Sequence, residues 1–417
     1  MNIKRRYQES RELFKGLGVD TDKAIKLLEN VSLSMHCWQG DDVIGFDGSK
    51  VLSGGIQTTG NYLGRATTPE QLMQDIDKVL KLVPGKHRLN LHASYAIFEE
   101  NDSVDRDKLE PKHFKKWVEF AKERGLGLDF NPSLFGHPKA ESLTLSSSQK
   151  DIREFWIDHC KACIRISEYF ANELNTHCLM NIWIPDGLKD IPGNRMIPRK
   201  RFKESLDEIL AIDYDKEKVL VCLESKVFGI GLESYTVGSS EFTLLYAQQA
   251  GIVPLMDNGH YHPTEVVSDK ISSLLLFNEK IALHITRSVR WDSDHVVLFD
   301  DETKEIAKEI VRNDALKRVY LGLDFFDASI NRVSAWVVGM QNVQKALLSA
   351  LLMPMDTLNV LQDEENFTKI MALQETIKTY PFHDVWNYFL YKNDIPLNFE
   401  WFKEIEDYEN EVQKKRG

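Results

Sequence analysis

Lys218-Val-Leu-Val-Cys-Leu-Glu224, Ile252-Val-Pro-Leu-Met-Asp257, Ile281-Ala-Leu-His-Ile285 and Val319-Tyr-Leu-Gly-Leu-Asp324 decide the fold. Each is an apolar run of strand length with a carboxylate or an imidazole at its polar end. Amphipathic stretches at 241–249, 263–277 and 301–312 separate them, each long enough for a helix. Strands alternating with helices imply parallel pairing through right-handed crossovers. The same alternation continues upstream. Val31-Ser-Leu-Ser-Met-His-Cys-Trp38, His87-Arg-Leu-Asn-Leu-His-Ala93, Gly127-Leu-Asp-Phe-Asn-Pro132 and His177-Cys-Leu-Met-Asn-Ile-Trp-Ile-Pro185 read as strands. Helical stretches at 68–82, 111–124, 151–172 and 198–212 stand between them and the later units.

Eight such units in 417 residues predict an α/β chain folded as a (β/α)8 TIM barrel. The rival, a doubly wound open sheet, usually has a glycine-rich turn after its first strand. Trp38-Gln-Gly-Asp-Asp42 is not one, and Gly229-Ile-Gly-Leu-Glu-Ser234 matches the dinucleotide fingerprint only in part. The expected organisation is an N-terminal helical segment at 1–30, a barrel at 31–340 and a C-terminal helical extension at 341–417. Trp386, Tyr388, Phe389, Trp401 and Phe402 punctuate that extension as anchors for docking onto the body or a neighbouring subunit.

Composition narrows the class. Hydrophobic content of 42% and charged content of 28% are ordinary for a soluble globular protein. A net charge of -12, from 64 acids against 52 bases, speaks against a nucleic-acid partner. The five cysteines are odd in number and scattered, which suits a reducing, cytoplasmic compartment. Cys160-Lys-Ala-Cys163 is formally C-x-x-C, but it lies in a helical stretch without a second such pair and reads as buried thiols. The basic N-terminus has no apolar segment behind it, so no secretory signal is expected. No apolar run approaches the roughly 20 residues that span a bilayer, so no membrane partner is expected either.

In a barrel of this type the site lies at the C-terminal ends of the strands. His36 and Trp38 stand at the first such end, His92 at the second, Asn131 at the third, and Trp183 and Asp186 at the fourth. Glu224 and Lys226 follow at the fifth, Asp257 and His260 at the sixth, His284 at the seventh, and Asp324 at the eighth. Together they should form one polar basin. Asp257-Asn-Gly-His260 sets a carboxylate and an imidazole across a glycine turn, able to face one ion, with the second carboxylate oxygen free to reach another. Asp292-Ser-Asp294 places two carboxylates on one side of an extended segment. So many carboxylates together would raise one another's pKa values at a cost in stability, which divalent cations relieve. Oxygen ligands with some imidazole favour Mg²⁺, Mn²⁺ or Co²⁺ over a thiolate-type zinc site.

Blander readings stand beside these. A lone Glu224 or Asp324 is as well explained as a helix cap or a satisfied core group, and the whole set as a solvated acidic rim. Lys226, two residues after Glu224, faces the same side and can polarise a substrate oxygen; its alternative is a structural ion pair. His92 can hydrogen-bond a sugar ring oxygen, or be a core histidine. Trp38 and Trp183 can wall one face of a sugar, or simply pack. His262 is an extra ligand or a turn residue.

Several longer stretches resemble one family. They include Ser34-Met-His-Cys-Trp-Gln-Gly-Asp-Asp42, Gly54-Gly-Ile-Gln57, Thr59-Gly-Asn-Tyr62, Leu89-Asn-Leu-His92, and Met180-Asn-Ile-Trp-Ile-Pro-Asp-Gly187. Glu224-Ser-Lys226, Phe228-Gly-Ile-Gly231, Glu233-Ser-Tyr-Thr-Val-Gly238 and Gly259-His-Tyr-His-Pro-Thr-Glu265 continue the pattern. Val289-Arg-Trp-Asp-Ser-Asp-His295 and Gly322-Leu-Asp-Phe-Phe-Asp-Ala-Ser-Ile-Asn-Arg332 complete it. From about residue 10 to the C-terminus the chain resembles the L-rhamnose isomerase family. The resemblance implies a xylose-isomerase-like barrel, two divalent metal ions per subunit, a homotetramer, and interconversion of L-rhamnose and L-rhamnulose. It implies a structural ion held by Glu224, Asp257, His284 and Asp324. A catalytic ion would be held by His260, Asp292 and Asp294, with Asp257 bridging. Mn²⁺ is the first choice, with Zn²⁺, Co²⁺ or Mg²⁺ as alternatives at one site. The chain departs from the family pattern at Asn258, where a small residue is usual, and at Ser288, where proline is expected.

The chemistry of an aldose–ketose isomerase agrees with this ligand set. Two metals can hold O1 and O2 of an opened sugar and polarise the carbonyl. Asp324 would orient the water that moves the hydroxyl proton, Lys226 would steady O1, and His92 would assist at the ring oxygen. No unpaired carboxylate base is evident, which favours a hydride shift over an enediol. The polar, glycine-rich segment 42–62 would form a lid or reach a neighbouring site. A two-metal hydrolase or phosphoesterase is the alternative, but Lys226, Arg287 and Arg290 make only a thin phosphate clamp. A non-catalytic sugar-binding protein would not need so crowded a ligand set.

Overall fold

The computed structural model describes residues 2–48, 58–99, 102–226, 233–262, 264–289 and 291–416, leaving aside the side chains of 288–289 and 291–294. Eight strands pair in parallel and close into a barrel in chain order. They are β1 (Leu33–His36), β2 (Arg88–His92), β3 (Gly127–Asn131), β4 (Cys178–Ile182), β5 (Val219–Glu224), β6 (Val253–Asp257), β7 (Ile281–His284) and β8 (Val319–Leu323). β1 lies between β2 and β8 and closes the ring. The helices that return the chain are Pro69–Leu80, Lys115–Arg124, Lys150–Leu174, Met196–Leu210, Ser240–Ala250, Ser268–Phe277, Asp301–Arg312 and Arg332–Leu351. The (β/α)8 expectation therefore holds. Near-continuous apolar runs such as β5 and β6 are buried along their whole length, as strands covered on both faces must be.

Local chemistry sets the element ends. The Asp300 side chain accepts from Thr303 N at 2.9 Å and starts helix Asp301–Arg312. Gly251 ends helix Ser240–Ala250 in a left-handed conformation, φ 67°, just before β6 begins. The N-terminal segment differs from the single helical stretch expected at its start. Gly18 adopts φ 80°, and the chain forms two helices, Ile3–Lys15 and Thr21–Leu28.

Helix Arg332–Leu351 runs on through residue 340, packed against Asp301–Arg312 and Pro69–Leu80. Beyond it, helix Phe382–Lys392 docks on the N-terminal helix. Tyr388 stacks on Tyr7 with ring centroids 3.7 Å apart, and Arg6 pairs with Asp384 at 2.6 Å. Trp386, Phe389 and Trp401 are buried, so these aromatic anchors seat on the chain's own body. The ends of segment 42–62 are also tied down, while residues 49–57 lie outside the described residues. Arg332 forks onto both Asp42 carboxylate oxygens at 2.7 and 2.8 Å, and Tyr62 Oη donates to Glu409 at 2.8 Å.

Inside the barrel, Leu179, Leu220, Cys222, Val253, Leu255 and Ala282 form a small apolar cluster. The two-residue period of a strand carries this inward face to Asn181, Glu224, Asp257 and His284 at the strand ends. Register then brings those ends level, because Asp257 pairs with His284 and His284 with Gly322.

Candidate metal and sugar site

Glu224 ends β5, Asp257 ends β6, His284 ends β7, and Asp324 follows β8 by one residue. All four are buried, and each offers a ligand atom within 4.8 Å of the others. His284 Nδ1 stands 3.1 Å from Asp324 Oδ2 and 3.4 Å from Glu224 Oε1. His36 Nδ1 lies 3.1 Å from Asp324 Oδ1, so His36, His284 and Asp324 form a second, overlapping cluster. His260 reaches the edge of the group, with Nδ1 3.4 Å from Glu224 Oε1 and 2.6 Å from the Ser225 carbonyl. Gly259 N donates to Asp257 Oδ1 at 2.6 Å, so the glycine turn read from the sequence also fixes the carboxylate's orientation.

The donor set suits a divalent cation. Glu224 Oε1, His284 Nδ1 and Asp324 Oδ1 are buried and make no well-formed hydrogen bond, despite the short distances between them. Buried polar atoms without hydrogen bonds are costly, and an ion held by this cluster would satisfy them. Three carboxylates and an imidazole are also the hard, oxygen-rich donors such an ion prefers.

Electrostatics follow from this crowding. Burial alone would lower the His284 pKa, but the charges of Glu224 and Asp324 outweigh it and hold the imidazole well above the usual histidine range. For Glu224, burial works upward, yet the charge of His284 holds it below the ordinary carboxylate range. Burial dominates at Asp324 and raises it. His36 and His92 are pushed far down by burial and by the nearby His284 and so remain neutral.

A hydrogen-bonded chain leads from this cluster toward a wall of rings. Asn131 Nδ2 donates to Asn90 Oδ1 at 2.5 Å, Asn90 Nδ2 meets His36 Nε2 at 2.9 Å, and His36 Nδ1 meets His92 Nε2 at 3.3 Å. His92 Nδ1 lies 3.2 Å from Ser133 Oγ, and Trp38 stacks on the His92 ring at 4.0 Å. Phe326 stands edge-on to Trp38, and Phe135 lies between Trp38 and Trp183. The indole nitrogens of Trp38 and Trp183 are buried without a partner. Sequence reasoning did not name Phe135 or Phe326, because an isolated phenylalanine in a loop carries no periodic signal.

Lys226 takes up the ion-pair alternative. Its ammonium lies 2.6 Å from each Glu233 carboxylate oxygen and 2.6 Å from the Pro185 carbonyl. Asp186 does not join the basin expected from its place after β4. Its carboxylate accepts from Thr144 N and Oγ1 and from Ser146 N and Oγ at 2.5–3.0 Å, which staples a loop. Asp292 and Asp294 sit on strand Trp291–His295, which pairs antiparallel with Arg287–Val289; their side chains lie outside the described residues. His262 is exposed and bonds Thr264 Oγ1 at 2.7 Å, as a turn residue does. Asn258 ties β6 to the next loop, donating to Thr286 O at 3.0 Å and accepting from Thr286 N at 2.7 Å.

The family described as "L-rhamnose isomerase (RhaA)" matches residues 1–416. The chain belongs to the L-rhamnose isomerase family. It is thus a sugar isomerase of the aldose–ketose type. It is 52% identical over 418 residues to the L-rhamnose isomerase of Listeria monocytogenes serotype 4a (strain HCC23), covering 99% of both chains. It is 52% identical over 415 residues to the enzyme of the same name from Mannheimia succiniciproducens, again covering 99% of each. Among solved structures, an L-ribulose 3-epimerase aligns over 77% of this chain and 95% of its own, with 11% identity and a TM-score of 0.49. The buried Glu224, Asp257, His284 and Asp324 group is one that could hold a metal ion. Among the described residues no helix is long and apolar enough to cross a membrane.

Proposed function

We propose that this isomerase interconverts L-rhamnose and L-rhamnulose by a metal-mediated 1,2-hydride shift. The observation that supports the metal requirement is that Glu224, His284 and Asp324 each bring a buried atom without a hydrogen bond to one cluster of possible ligands. Glu224, Asp257, His284 and Asp324 would hold one divalent ion. His260, Asp292 and Asp294 would hold a second, with Asp257 shared. Such ions, Mn²⁺ first, would supply Lewis acidity toward O1 and O2, the oxygens on the two carbons between which the hydride moves.

The chain's own side chains do the rest. Trp38 and Trp183, with Phe135 between them, offer an apolar wall for one face of the sugar and keep water from the reacting carbons. His92, neutral, has its two ring nitrogens on Ser133 and His36 and would assist at the ring oxygen by giving up one of these partners. Lys226 would steady the O1 oxygen. Asp324 would orient the water that carries the hydroxyl proton. We place the enzyme in the cytoplasm as a homotetramer, with barrel 31–340 catalytic and extension 341–417 contributing subunit contacts. Helix Phe367–Ile377 buries none of its residues on this chain, which supports that use of the extension.

One assay tests the reading. Protein stripped with a chelator and reloaded with Mn²⁺ should convert L-rhamnose to ketose only after reloading. Ketose formation that ignores the metal would overturn the metal-mediated step.

A further inference from the structure

The buried Lys226 side chain carries a partner of opposite charge, Glu233. A lysine ammonium has three donors. Here all three have acceptors, Glu233 Oε1, Glu233 Oε2 and Pro185 O, each at 2.6 Å. The Lys226 side chain is only 1% exposed, so the charge sits where an unpaired ammonium would be expensive.

The backbone around this pair exists to bring Glu233 in. A short antiparallel ribbon pairs Gly187 with Thr236 and Leu188 with Tyr235. Ser234 N donates to Leu188 O at 3.1 Å and Val237 N to Asp186 O at 3.0 Å, while Lys226 N donates to Gly238 O at 2.9 Å. The ribbon root is held in turn by the Asp186 carboxylate, which grips Thr144 and Ser146. A Cβ on Gly187 would overlap the Glu233 carboxylate, so the glycine makes room for that side chain.

Resting on the role given to Lys226 above, we propose that Glu233 is the positioning residue for Lys226. Its two oxygens and the Pro185 carbonyl fix the direction of the ammonium, and a sugar oxygen takes over one N–H from one Glu233 oxygen on binding. Glu233 remains attached through its other oxygen, so the charge pair is kept throughout. A lysine stem has several free rotations, and without the carboxylate the ammonium would lose its single orientation. Misplacement of a substrate-holding group costs about a hundredfold in rate.

Four variants decide this: Glu233→Gln, Glu233→Asp, Gly187→Ala and Lys226→Met. Each metal-loaded enzyme is assayed for kcat and KM with L-rhamnose, together with its melting temperature. Glu233→Gln should lower kcat/KM about a hundredfold. Glu233→Asp should recover most of that loss, because the charge is kept. Gly187→Ala keeps both charges but swings the carboxylate aside, and should reproduce the Gln loss. Wild-type kinetics in Glu233→Gln, beside an impaired Lys226→Met, would overturn the proposal. So would equal losses in Glu233→Gln and Glu233→Asp that merely follow a fall in melting temperature. Wild-type kinetics in Lys226→Met would instead remove the role given to Lys226 itself, a result distinct from a silent Glu233.

Discussion

Glu224→Gln should cost far more stability with divalent metal than without it. Glu224 shares its site with Asp257 and Asp324, all within 4.8 Å of one another, and with one imidazole. In chelator-treated protein burial works against the Glu224 charge, but the charge of His284 outweighs it and holds the carboxyl below its ordinary range, so the substitution removes a net attraction. Glutamine keeps an oxygen for the Asn181 side chain, which donates to Glu224 at 2.5 Å. The stripped variant should therefore be modestly less stable than stripped wild type. With metal the loss is larger. An ion at a thousand times its dissociation constant stabilises the native state by about 4 kcal/mol. For a chain of 417 residues that corresponds to roughly 5 °C in melting temperature. The variant should lose most of this increment. Melting curves of both proteins, in chelator and in a Mn²⁺ series, read it directly. An equal drop in melting temperature in both conditions would refute the ligand role of Glu224.

Three further outcomes are expected. Asp292→Asn should abolish turnover while leaving the melting temperature near wild type, as measured by ketose formation and calorimetry; undiminished turnover would remove Asp292 from the catalytic ion. Asp42→Ala strands the buried Arg332 guanidinium, whose fork spans both Asp42 oxygens. It should cost about 3–5 kcal/mol in denaturant unfolding, and a loss under 1 kcal/mol would contradict the pairing. The third concerns Asp41, whose pKa burial pushes up to about 7 despite hydrogen bonds from Tyr95 and Gly45. A raised folded-state pKa gives stability that is full below the unfolded value, near 4, and is lost as pH rises through 7. Between pH 5 and pH 8 wild type should therefore lose about 2.5 kcal/mol relative to Asp41→Asn. Parallel pH profiles of unfolding free energy for the two proteins would count against a buried, raised Asp41.

Much of the fold was legible because parallel strands buried on both faces must be apolar, and seven amphipathic stretches separate the eight strands. The helix at 301–312 matches its expected bounds, since Asp300 caps it and its apolar stripe is regular. The break at Gly18 was harder to see, because apolar spacing continues on both sides and only the backbone conformation separates the two helices. The residues of the buried carboxylate–imidazole cluster were legible by position, each a polar residue ending an apolar run. Period-two geometry points Glu224, Asp257 and His284 inward once strand ends are known.

What distinguishes ligand from staple was decided in three dimensions. Asp186 and Glu224 look alike in sequence, both carboxylates at or beyond a strand end. Yet Asp186 is consumed by four donors from a loop some 40 residues away, while Glu224 keeps an oxygen without a hydrogen bond. For Lys226 the sequence left open a substrate contact or a structural ion pair, and its partners, Glu233 and Pro185, are brought to its ammonium by a ribbon that no local pattern announces. Local sequence determines which residues form strands and which way alternate side chains point, since both depend on near neighbours in the chain. Register and loop packing decide which polar atoms meet, since they depend on contacts between residues far apart in the chain. The alternation of strands and helices and the row of polar strand ends therefore belonged to the sequence, and the sorting of those ends into a buried cluster, a loop staple and an ion pair belonged to the tertiary structure.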